Sequence, residues 1–227
     1  PERSQRDARP LYRLRGGWSC LPCPRDAARR AARRAGVRRA CAGARVPAVN
    51  AAIVGVWSVL GPIVAQDELG GAAAWGFIVA AQAAGFVFGG VVTLRYRPSR
   101  MLLVATVAIF PTALPILLLV PPAPVVVIAA AAFVSGVGVE LFGVLWDVTM
   151  QQEISSEQLS RVYSYDALGS YVVIPLGAAV AGPVADTIGT SETLVASALV
   201  IVAATALVLL VDEVRSLRRR AVEPASA

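Results

Sequence analysis

APVVVIAAAAFVSGVGVELFGVLWDVTM, residues 123–150, sets the class of this chain. The stretch holds no Arg and only two acids, Glu140 and Asp147. About 20 residues of helix cross a ~30 Å hydrocarbon core, so the run predicts a transmembrane helix. The same reading extends outward to apolar runs at 47–65, 72–93, 101–120, 162–185 and 193–211, giving six predicted spans. The whole chain agrees: of 227 residues 56% are hydrophobic and 16% charged, with a mean hydropathy of +0.65. A soluble domain carries about a quarter charged residues.

The separators between the runs carry an orientation signal. Arg95, Arg97 and Arg100 follow the second run, Arg161 follows the fourth, and Arg215, Arg218, Arg219 and Arg220 follow the sixth. The other separators hold Asp67-Glu68, Pro121-Pro122 and the segment from Asp186 to Glu192, with no Arg. Cytoplasmic loops are enriched in basic residues. Both termini are therefore expected in the cytoplasm, with six crossings of the cell's inner (plasma) membrane. A soluble helical protein has no reason to sort its arginines by loop parity.

Residues 1–45 differ from the rest. They hold 13 Arg against the three acids Glu2, Asp7 and Asp26, a net of +10, whereas residues 46–227 hold eight Arg against 12 acids, a net of −4. Three readings compete for this non-membrane segment. A basic arm for nucleic acid or anionic lipid is one, but its densest Arg stretch lacks interleaved aromatics, and no nucleic-acid partner is expected. A solvated cytoplasmic tail is the second. The third is GC-rich DNA read out of frame, which gives such an Arg/Ala/Gly/Pro/Cys mixture ahead of an abrupt change near Val46; the start at Pro1 agrees with it. Cys20-Leu-Pro-Cys23 is a CxxC with only Cys41 beside it and no His anywhere. A structural zinc needs four ligands, so the motif reads as incidental. The absence of His also excludes imidazole-based catalysis and His-ligated metal sites.

Within the quoted stretch, Glu140 lies well inside an apolar run. A charge there costs roughly 2.5 kcal/mol or more on insertion scales, so an anion facing lipid is disfavoured. Gly136, Glu140, Gly143, Asp147 and Gln151 are spaced 4, 3, 4 and 4 residues apart, which puts them on one helical stripe. A small, acidic stripe suits the lining of a cavity. Glu140 is read as a protonation site or a counter-charge for a cationic substrate, and alternatively as a protonated packing group. Asp147 lies nearer the cytoplasmic end and suits a structural or gating ion pair. Asn50, Trp57 and Gln82 are further candidates for proton or substrate binding, each also explicable by packing. Gly85-x-x-x-Gly89 lets two helix backbones approach closely. Pro62, Pro111, Pro115, Pro175 and Pro183 predict bent helices.

A set of motifs then points to a family. The chain contains Trp146-Asp-Val-Thr-Met-Gln-Gln152, Leu159-Ser-Arg161-Val162-Tyr-Ser164, Pro175-Leu-Gly177 and Ala181-Gly182-Pro183. Together they resemble the major facilitator superfamily, most closely the C-terminal half of its drug-efflux, macrolide-exporter-like branch. Gly90 through Arg100 resembles a degenerate copy of that superfamily's Gly-rich basic loop, here without the usual acidic residue. Ile154-Ser155 stands where the branch often has Val-Pro. The resemblance spans about residues 47–212.

The resemblance implies an all-α integral membrane fold of twelve helices, of which this chain supplies six. The apolar runs themselves place a six-helix transmembrane domain at 46–213 and a cytoplasmic tail at 214–227. Such transporters bind substrate near the midplane between halves, so the chain is expected to be a fragment or to pair with a second six-helix half. The resemblance also implies gating roles for Arg161, Asp166 and Arg95, with Arg161 pairing Asp147, Glu153 or Asp166 when the cytoplasmic side closes. The expected activity is proton-coupled efflux of small amphipathic compounds, with protons, a small-molecule substrate and the bilayer as partners and no cofactor. The competing expectation is a six-helix scaffold or an inactive remnant that does not transport. A membrane-embedded enzyme lacks a His, an intramembrane Cys or a close carboxylate pair, and an ATP-driven subunit lacks a phosphate-binding loop.

Overall fold

A computed structural model describes residues 50–96, 98–154, 156–210 and 214–215. The Arg-rich segment 1–45 with its cysteines, and the arginines at 97 and 218–220, lie outside the described residues. Among the described residues the chain is helical with no β-strand, apart from an isolated bridge between Leu119 and Pro122.

A π-helical segment, Ala51–Val56, runs into α1, Trp57–Glu68. Gly70 and Gly71 follow with φ of 92° and 87°, a region open to glycine, and turn the chain into α2, Ala72–Arg95. α3 spans Met101–Ala108, a 3-10 turn Phe110–Thr112, and α4 Ala113–Leu117. α5 is Val125–Glu153, α6 Ser156–Ile188 and α7 Thr190–Leu209.

Four stretches are long and apolar enough to cross a membrane: Ala72–Arg95, Val125–Gln152, Gln158–Ile188 and Thr190–Leu209. The other two predicted spans are helical but interrupted. In the third, Pro111 has no amide proton to give to the turn before it, and the helix breaks at Phe110–Thr112. The hydroxyls of Thr106 and Thr112 donate to the carbonyls of Leu102 (2.8 Å) and Ile109 (2.6 Å). In the first, Pro62 lies inside α1 and the N-terminal part is π-helical. By contrast α5 runs unbroken for 29 residues, with Pro124 at its N-cap, where a missing amide proton costs nothing.

The main core joins Leu60 of α1, Ile78 of α2, Ile116 of α4, Ile128 of α5, Ala181 of α6 and Ile201 of α7. A second cluster packs Leu102 and Val214 with Trp146, Val208 and Leu209. It gathers the start of α3, the far part of α5 and the segment after α7 at one end of the bundle. Arg95, Arg100, Arg161 and Arg215 all lie at this end, exposed. Asp67, Glu68, Asp186 and Glu192 lie at the opposite ends of their helices, also exposed.

Candidate functional site

The packing of α2 on α5 builds the surroundings of Glu140. A Cβ on Gly85 would overlap the Phe133 carbonyl and lie 3.2 Å from the Gly136 Cα, and one on Gly136 would overlap the Gln82 carbonyl. The two backbones therefore touch at these glycines, as the Gly-x-x-x-Gly spacing permits. One turn further on, a Cβ on Gly89 would come within 2.9 Å of the Glu140 Cβ and 3.0 Å of the Val137 carbonyl oxygen. α5 meets α3 with equal closeness, since a Cβ on Gly138 would overlap the Ala108 carbonyl.

Glu140 is the 16th of the 29 residues of α5. At 1.5 Å per residue, about 22 Å of helix precedes it and about 20 Å follows. A helix so placed across a ~30 Å core carries its carboxylate near the midplane. Glu140 is half-buried. Among the described residues its carboxylate has no hydrogen-bond or ion-pair partner.

The expected cavity-lining stripe is only partly a shared surface. Gly136 is buried in the α2 contact, Glu140 is half-buried, and Gly143, Asp147 and Gln151 are exposed. The reason is geometric: α2 covers only part of α5, so one stripe runs out of the contact into the open. The neighbouring face behaves otherwise, with Leu145 and Phe142 packed on Met101 and Ala105 of α3.

Two of the other candidates come together. The Trp57 indole N–H donates to Gln82 Oε1 at 3.2 Å, joining α1 to α2. The Trp57 ring lies 4.8 Å from that of Trp75, which occupies the space beside Gly61. Asn50 is half-buried at the start of the described chain, away from Glu140 in sequence and linked to it by no described hydrogen bond.

At the arginine end, α5 and α6 exchange polar contacts. The Tyr163 hydroxyl donates to Asp147 Oδ1 at 3.1 Å, and the Trp146 indole makes a long bond to Asp166 Oδ2 at 3.4 Å. Trp146 also stacks on Phe142, with centroids 5.9 Å apart and planes 12° from parallel. The carboxylates expected to pair with Arg161 thus take neutral donors. Among the described residues neither Arg161 nor Arg95 forms an ion pair; the Glu153 side chain lies outside the described residues. Arg95 ends α2, where a cation meets the partial negative charge of the helix C-terminus.

Sequence reasoning missed Trp146 and Tyr163 as donors, although both stand in the motifs that carried the family resemblance. It also missed the Gly89-Gly90 step beside Glu140. The Gly-x-x-x-Gly spacing signalled a close helix partner but not which helix, and so not which side chain. Among the described residues, no group of three or more His, Cys, Asp or Glu is placed to hold a metal. No family model matches this chain, and no curated protein or solved structure matches it.

Proposed function

We propose that the chain is one six-helix half of a secondary transporter that exports small amphipathic compounds against protons, with Glu140 as the proton-carrying group. One observation carries the reading: a carboxylate stands halfway along a 29-residue apolar helix with no partner among the described residues. Intramembrane carboxylates of this kind recur on proton and ion pathways, because hydrocarbon makes an idle charge expensive. The motif resemblance to the drug-efflux branch of the major facilitator superfamily supports the same function, and in that fold substrate binds near the midplane between two halves. The arginine-rich end faces the cytoplasm in this reading, following the basic bias of cytoplasmic loops. The two interrupted helices cross as the first and third of six spans, their freed backbone groups satisfied within the bundle.

The test is energised efflux of a fluorescent amphipathic cation from cells carrying the full chain in its native membrane background. Efflux is expected to be abolished by a protonophore and by Glu140→Gln, at unchanged protein abundance. Efflux that survives Glu140→Gln would remove the proton role. A chain that supports no efflux in any form would favour the scaffold or remnant reading.

A further inference from the structure

The two glycines beside Glu140 do different things. Gly89 is buried, and its missing side chain admits the stem of Glu140: a Cβ there would meet the Glu140 Cβ at 2.9 Å and the Val137 backbone at 3.0 Å. Gly90 is half-buried, and a Cβ there would meet one described atom within 4 Å outside its own surroundings, Glu140 Oε1 at 3.7 Å. So the stem crosses α2 at Gly89 and the carboxylate comes to rest over Gly90. The flanking α2 side chains Val87 and Leu94 are 71% and 73% exposed and turn outward. The bare backbone of Gly90 is then the part of α2 that the carboxylate faces.

We infer that Gly90 is a positioning residue for Glu140: it leaves a berth on α2 in which the carboxylate sits, reachable by a proton donor, between two apolar helices. That Glu140 carries the transported proton is taken from the proposed function; the berth itself is a matter of geometry. Gly89 and Gly90 separate the two tasks of the site. Filling Gly89 pushes the helices apart, because the colliding atoms belong to the stem and the backbone. Filling Gly90 with a methyl group makes only an ordinary van der Waals contact, so the helices stay packed. A larger apolar group at Gly90 evicts the carboxylate without touching the α2–α5 backbone contact.

The experiment labels the full chain in membranes with dicyclohexylcarbodiimide, an apolar reagent that attacks protonated carboxyl groups, and reads each carboxyl by peptide mass spectrometry. Gly90→Leu is expected to change labelling of Glu140 several-fold, with Gly90→Ala changing it less in the same direction. Labelling at Asp147 and Asp166 should not move. Gly76→Leu is the control, since a Cβ there meets nothing within 4 Å, and it should label as the native chain does. Combining Gly90→Leu with Glu140→Asp should restore native-like labelling, because the shorter side chain withdraws its carboxylate from the filled berth. Native labelling in both Gly90 variants would overturn the inference. So would a change that Glu140→Asp fails to rescue, or one shared by Asp147 and Asp166, since either would mark a general disturbance of the fold. If labelling responds and is rescued while efflux is indifferent to Glu140→Gln, the berth stands and the transport reading falls.

Discussion

α5 and α6 are both long and largely apolar, yet they are held in opposite ways. α5 is clasped on two sides through glycines, by α2 at Gly136 and by α3 at Gly138. Among the described residues α6 meets the bundle through Gly177 against the backbone of Gly55, through buried Ala181 and Ala185, and through the Tyr163 and Asp166 contacts with α5. Its other face carries Tyr165, Leu168, Tyr171 and Leu176, which are 59–76% exposed. α5 is the more apolar of the two, with a mean hydropathy of 2.3 against 1.6, yet both are apolar enough to cross a membrane. In a bilayer, lipid tails are as apolar as leucine, so apolar character alone gives no reason to associate. What differs is where the small residues fall. They let α5 bring backbone against backbone, and they leave α6 a narrow seam with a broad outer face.

The strongest way to break this contrast is to fill a glycine in the clasp. Gly85→Leu or Gly136→Leu drives a side chain into a backbone carbonyl, which cannot step aside as a side-chain tip can. Overpacked cores lose typically 1–3 kcal/mol, and a backbone collision belongs at or above the upper end, about 3 kcal/mol. The expected outcome is a large fall in the thermal midpoint of the purified chain, or failure to accumulate. A midpoint within a degree or two of native would mean that α2 and α5 are not in backbone contact.

A smaller effect tests the polar seam between α1 and α2. Trp57→Phe keeps an aromatic ring near Trp75 but removes the N–H that Gln82 accepts. Hydrogen bonds between membrane helices average about 0.6 kcal/mol and reach about 1.7. A loss of about 1 kcal/mol is expected in thermal or denaturant unfolding, and Gln82→Leu should recover part of it by removing the orphaned acceptor. If Trp57→Phe and Trp57→Phe/Gln82→Leu are equally destabilised, ring size matters there and the hydrogen bond does not.

These sites show how far the residues alone could lead. The apolar runs mark α2, α5 and α7 to within three residues at each end, because a length near 20 without charge admits few alternatives; α6 begins six residues before its run, and the run 101–120 divides into α3, a 3-10 turn and α4. Glu140 stands out for the same reason. The break at Phe110–Thr112 was half legible: Pro111 announces a lost hydrogen bond, but whether the helix bends or stops depends on what its neighbours supply. The setting of Glu140 was not legible, since Gly89 and Gly90 lie 50 residues away and only the register of α2 on α5 brings them there. Asp147 and Asp166 were marked for Arg161 by the family resemblance, which places the arginine in the loop beside them. A tyrosine and a tryptophan on the right turns take them instead.

The smallest effect belongs to the outer face of α6, and its smallness is the informative part. Leu176 is 59% exposed. In a bilayer, lipid chains close around a shortened side chain, so Leu176→Ala leaves no void of the kind that makes core truncations costly. The purified chain in lipid should therefore unfold within about 0.5 kcal/mol of native. A loss of 2 kcal/mol or more would place Leu176 inside the chain's own packing and end the contrast with α5. The same substitution in native membranes separates lipid from protein as the cover of α6. If lipid covers it, abundance stays at the native level. If a second half lies on it, the truncation opens a gap between two protein surfaces, and assembly weakens although the isolated chain is unchanged. Neutral in isolation and costly in the membrane is the pattern expected of a helix whose missing neighbour is another protein.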